Sequence, residues 1–151
     1  MRIDPNKKLS NNFTLGEMVE SDTAKKAGID NTPTLLVIAH LEELCQKLLQ
    51  PIRDAYGQPI KVTSGFRCYR LNRYVGGSPT SAHPIGWAAD LKPASGSYAD
   101  FEKFVITFLE EHPEIPFDQC IMEKSGKTRW LHLGIKNAAG RQRRQIFNIN
   151  K

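Results

Sequence analysis

The chain reads as an α+β protein, helices first and then a mostly antiparallel sheet. Two patterns predict this. Apolar residues fall at three- and four-residue steps through Ile38, Leu41, Cys45, Leu48 and Ile52, whereas the last third alternates in strand-like runs on either side of Lys124-Ser125-Gly126-Lys127, which has turn composition. A length of 151 residues, 40% of them hydrophobic, suits a single domain over 1–151 with one core. Residues 1–11 are polar and are expected to be loose. No internal repeat or low-complexity tract is visible.

Taken in order, Thr14 with Glu17 three residues on has the form of a capping box, opening a helix just after Phe13. Ser21 to Ala27 reads as a second helical turn ended by Gly28, and Asn31-Thr32-Pro33 breaks the pattern. Thr34 starts the longest helix, with one wide apolar face, and Gly57 and Pro59 stop it. Ile60 to Ser64 alternates as a strand. Leu71 to Tyr74 is at most a short helix, closed by Gly76-Gly77, and Trp87 to Leu91 reads as a second strand. Ser97 with Asp100 caps a helix whose stripe of Phe101, Phe104, Val105, Phe108 and Leu109 belongs to the core. Phe117 to Glu123 and Thr128 to Ile135 form a hairpin. Gln145 to Ile149 adds an edge strand after the basic run Arg141 to Arg144, which reads as solvated surface.

A formal net charge of +5 favours an anionic partner without choosing among nucleic acid, acidic lipid and wall polymer. No predicted surface interleaves aromatic with basic residues, so no nucleic-acid partner is expected. Nowhere do about 18 apolar residues run together, and the amino terminus lacks the apolar core of a secretory signal. The expectation is therefore no membrane partner, synthesis in the cytoplasm, and a monomer. Cys45, Cys68 and Cys120 form no CxxC; they read as small buried hydrophobes in a reducing compartment, not as a disulfide framework.

The hairpin decides which residues share a face. With an even-length loop centred on Ser125-Gly126, Glu123 faces Thr128, Ile121 faces Trp130 and Gln119 faces His132, and all six project from one side. Cys120, Met122, Leu131 and Leu133 then line the other, apolar side. An odd-length loop would separate Glu123 from His132.

Ser81-Ala82-His83-Pro84-Ile85-Gly86-Trp87-Ala88-Ala89-Asp90 places a histidine and an aspartate seven positions apart across a helix-hostile Pro-x-Gly. With His132 they make a three-ligand set of the kind a catalytic zinc uses, leaving a fourth position for water. Such an ion acidifies water and polarises a carbonyl while a nearby carboxylate shuttles protons, and Glu123 is the candidate carboxylate. Arg67, just past a strand end, is best placed to hold a substrate carboxylate by paired hydrogen bonds. Each also has a bland alternative: a turn-capping or sheet histidine for His83 and His132, a strand-end carboxylate for Asp90, a hairpin ion pair with Lys124 or Lys127 for Glu123, and a loop brace on Asp90 for Arg67. His40 and His112 sit on helices away from these motifs and are assigned no function.

Ser64-Gly65-Phe66-Arg67, Leu71-Asn72, Val75-Gly76-Gly77-Ser78, the stretch Ser81 to Asp90, and Trp130-Leu131-His132, in that order, resemble the signature of the M15 peptidases. These are zinc D-Ala-D-Ala carboxypeptidases and L-alanyl-D-glutamate endopeptidases, including phage endolysins. Asn12 to Met18, Thr23-Ala24 and Gly28 to Asn31 are similar to the small single-domain branch common in phages. The resemblance implies a hedgehog/DD-peptidase-like fold, zinc held by His83, Asp90 and His132, Arg67 at the carboxylate end of the substrate, and Ser81 as the small polar residue beside the first ligand. It also implies a peptidoglycan stem peptide as substrate and action on the cell wall after release. One position departs from the pattern. Many M15 enzymes carry the catalytic acid three residues before the last histidine, where this chain has Arg129, which cannot act as a base at neutral pH. In the small branch a glutamate on the preceding strand lies nearest the site, and Phe117 to Glu123 matches that strand. The same departure leaves a second reading: a wall-binding or virion module that keeps the shape without catalysis.

Overall fold

The computed structural model describes residues 2–151; Met1, and with it that part of the loose terminus expected above, lies outside the described residues. Residues 8–10 are not loose. Strand β1 (Lys8–Ser10) pairs with β2 (Phe13–Thr14), and Leu9 is only 1% exposed. An apolar residue in a polar run was enough to anchor it, and Gln46 Nε2 and Gln50 Oε1 hold Leu9 O and Ser10 Oγ from the long helix.

Helix α1 (Leu15–Val19) opens on the Thr14–Glu17 capping box, and α2 (Asp22–Ala27) runs from Ser21 to a left-handed Gly28. The long apolar stripe forms α3 (Leu35–Leu44), a π turn (Cys45–Leu49) and α4 (Gln50–Tyr56). Pro51 explains the interruption: it has no N–H to offer one turn back, and the Gln50 N–H reaches Cys45 O instead. The stripe survives, with Leu41, Leu44, Cys45, Leu48, Leu49 and Ile52 fully buried.

The remaining elements are β3 (Ile60–Ser64), α5 (Tyr69–Tyr74), a 3-10 turn (His83–Ile85), β4 (Ala88–Pro93), α6 (Tyr98–Glu111), β5 (Gln119–Ser125), β6 (Thr128–Gly134) and β7 (Gln145–Asn150). Five strands form one sheet in the order β3-β4-β6-β5-β7, antiparallel throughout except where β7 runs parallel to β5. Ala89, Leu91, Cys120, Leu131 and Leu133 join the helices in the core. The alternate residues of β4, β5 and β6, among them Asp90, Glu123 and His132, project from the opposite face.

The hairpin differs from expectation in register but not in parity. Glu123 pairs with Trp130, Ile121 with His132 and Gln119 with Gly134, a slide of two residues. The physical reason is the turn. Gly126, with φ 60°, takes the first central position of a two-residue Gly-x turn, which lets Ser125 and Thr128 pair as well. A slide of two returns every side chain to its own face.

The basic run after β6 is not simply solvated. Arg143 donates from its backbone N, Nε and Nη2 to Asp118, and Arg144 donates to Ile115 O and Leu109 O while lying over the Phe117 ring. These contacts pin the connection that carries the chain across to β7. Cys45 and Cys120 are buried as expected. Cys68 is only half-buried, and its Sγ accepts the Leu71 N–H at the start of α5.

Candidate metal centre

β4 and β6 bring two of the predicted residues face to face: Asp90 and His132 are directly paired across the ladder, and Ser64 of β3 lies beside Asp90 on its other side. Asp90 Oδ1 is 3.2 Å from His132 Nδ1. The third residue comes from the 3-10 turn. Pro84 and a left-handed Gly86 fold that turn back so that His83 Nε2 stands 3.3 Å from the same Asp90 Oδ1. His83, Asp90 and His132 are all buried, and one ligand atom from each lies within 4.8 Å of the others.

The tautomer of His83 is set from behind. Its Nδ1–H donates to Gly65 O at 2.6 Å, which leaves the Nε2 lone pair aimed at the cluster. That Nε2 is buried without a hydrogen-bond partner. A buried, unpaired acceptor is costly, and a cation between these atoms relieves it. The two spacings to Asp90 Oδ1 agree with this: ligands at 2.0–2.1 Å from a tetrahedral ion lie about 3.3–3.4 Å apart. Burial lowers the His83 pKa, with Asp90 opposing, so the imidazole is held neutral as a ligand must be. Burial alone raises the Asp90 carboxyl, but the His83 and His132 rings packed within 3.3 Å and 3.2 Å of Oδ1 outweigh it and hold the group far below the usual carboxylate range.

Arg67 reaches the rim of this cluster, Nη1 at 4.0 Å from Asp90 Oδ2, and its backbone N–H donates to His83 O. Burial lowers its pKa while Asp90 and Glu123 act to keep it charged. Its Nε is buried without a partner. Asn31 holds the Arg67 segment by donating from Nδ2 to Val19 O and Phe66 O and accepting from Cys68 N–H. Ser81 Oγ accepts the His83 N–H at 3.1 Å, so it shapes the turn that carries the first histidine.

Glu123 lies on the same face as His132, two pairs further along the ladder and 9% exposed. It does not pair with Lys124 or Lys127. Its Oε2 accepts from Trp130 Nε1 at 3.1 Å, and Lys151 Nζ stands 3.1 Å from Oε1. Arg129 is on the opposite face of β6, bonded to Glu102 at 2.8 Å and lying over the Tyr98 ring. In this chain the position three before His132 points away from the cluster.

One histidine set aside earlier belongs next to the site. His40 Nδ1 meets Ile85 O at 2.6 Å, and the ring stacks on Trp87 with centroids 4.0 Å apart. Trp87 Nε1 donates to Glu43, which also receives Lys136 and Lys47. The loop between His83 and Asp90 is thus braced on α3. No local pattern reports this, because the contact joins residues 45 positions apart.

A family model described as Peptidase M15 matches residues 11–123. That span holds His83, Asp90 and Glu123, and His132 joins them through the pairing of β6. A search of curated proteins finds no match.

Proposed function

The chain belongs to the M15 peptidase family, and from that premise we propose that it is a zinc peptidase that hydrolyses a peptide bond in bacterial peptidoglycan stem peptides. The bond is that of a D-Ala-D-Ala carboxypeptidase or of an L-Ala-D-Glu endopeptidase of the endolysin type, and the domain acts as a monomer on the cell wall after release. The observation that carries the reading is the unpaired, buried His83 Nε2 facing Asp90 and His132.

His83, Asp90 and His132 would hold the ion. When bound, zinc supplies a Lewis acid that polarises the scissile carbonyl and acidifies water. Glu123 would take a water proton on a carboxylate oxygen and return it to the leaving amine. Arg67 anchors a substrate carboxylate, for which its free Nε and charge are suited, and Ser81 keeps the first histidine in place.

His83→Ala is expected to lose the ion and the activity together, read by elemental analysis and by mass spectrometry of muropeptide products. Glu123→Gln is expected to keep the ion and lose turnover by about 10²–10⁴. A His83→Ala protein that folds, binds zinc and still cleaves would overturn the reading. The binding-module alternative draws on Arg129, and it is favoured if sacculi are bound without the release of new amino termini.

A further inference from the structure

We propose that the outer face of α5 is a docking surface for the glycan strand of the wall polymer, beside the site that takes its stem peptide. The inference rests on the function proposed above and adds a second point of attachment. At 100° per residue, Tyr69, Arg73, Arg70 and Tyr74 fall in that order along one arc of about 140°, and Leu71 and Asn72 occupy the opposite side. The burial follows that division: the four are exposed, the two tyrosines by 62% and 64%, and Leu71 and Asn72 are buried. The surface thus sets two basic residues between two aromatic ones, which the linear reading did not anticipate.

Three features make it a binding surface and not ordinary solvated helix. Of six large hydrophobic residues exposed in the described chain, Tyr69, Tyr74 and the adjoining Val75 are three, so exposed apolar area is concentrated here. Among the described residues no carboxylate lies within ion-pair distance of Arg70 or Arg73, which leaves two charges free for a ligand. The helix is also fixed to the metal centre: Arg67 precedes it, Asn72 Nδ2 donates to Ser78 O, and α5 packs on the turn that carries His83.

The chemistry fits a saccharide polymer with acidic substituents. Tyrosine rings stack on the apolar faces of pyranoses, and guanidinium groups pair with the carboxylates of neighbouring stem peptides. A single-stranded nucleic acid offers rings and anions too, but it has no link to a peptide seated at the metal centre.

The test is cosedimentation of the full chain with purified sacculi for wild type, Y69A/Y74A and R70Q/R73Q, with thermal melting to verify the fold. The expected result is that each double variant binds sacculi at least tenfold more weakly with an unchanged melting temperature, and that added salt weakens wild type more than R70Q/R73Q. Wild-type affinity in both variants overturns the proposal, as does no sedimentation of wild type, or displacement of sacculi by a single-stranded oligonucleotide at lower concentration. Because the assay reads binding, an inactive protein that sediments through these residues would sink the peptidase reading alone. A cleaving enzyme whose variants sediment normally would sink this inference alone.

Discussion

Gly65 shows how closely single residues are fitted here. A β-carbon on it would stand 2.3 Å from the backbone oxygen of Met18, and its own carbonyl fixes the His83 tautomer. Gly65→Ala is therefore expected to cost about 1–3 kcal/mol of stability in urea titrations. It should also weaken metal binding about 10–100-fold in a chelator competition, because the Gly65 carbonyl orients the His83 ring. The candidate ligands were legible at this scale. His83 and Asp90 stand out by their spacing around Pro84 and Gly86, and the parity of the hairpin puts Glu123 on the same face as His132. The supports were not. Asn31 and His40 act through backbone groups brought near only by the finished fold, and no periodicity in the chain reports such contacts.

Among the elements, the helix N-caps and the helical stripes were read from local pattern because their causes are local. The π turn was missed although Pro51 was in view, since a helix can either kink at proline or widen before it and packing selects the outcome. The crossing to β7 hangs on Asp118, whose side chain is 3% exposed. Burial alone raises its carboxyl, but the hydrogen bonds from Arg143 outweigh that and hold it below the usual range. A folded pKa lowered in this way adds stability that is complete above the unfolded value of about 3.9 and disappears as pH falls through the folded one. The Asp118–Arg143 contribution, read as the difference in unfolding midpoint between wild type and Arg143→Ala, should therefore hold from pH 7 to about 5 and disappear below about 4. Arg143→Ala should cost about 1–3 kcal/mol at pH 7 and flatten that acid dependence. The loss belongs at the low end, because the Arg143 side chain is 40% exposed and water screens it.

Across the whole molecule, the α+β class followed from the order of helical and alternating segments, but the strand order and the parallel β5–β7 pair did not. They depend on a return connection that Arg143 and Arg144 fasten, and a run of arginines is equally at home in solvent. The candidate metal centre joins β4, β6 and the 3-10 turn, so an ion bound there would couple to global stability. At a free zinc concentration 1,000 times Kd the gain is about 4 kcal/mol. Chelation should lower the melting temperature by on the order of 10 °C, and His83→Ala should melt the same with or without chelator. The buried cysteines supply a clock for such openings. Burial pushes the Cys120 thiol up to about 12 and Cys45 higher still, so neither offers a thiolate to an alkylating reagent while the fold is closed. Cys68, half-buried at the start of α5, should be modified first. The slower labelling of the other two then times how often the core breathes, with faster labelling expected in the zinc-free protein.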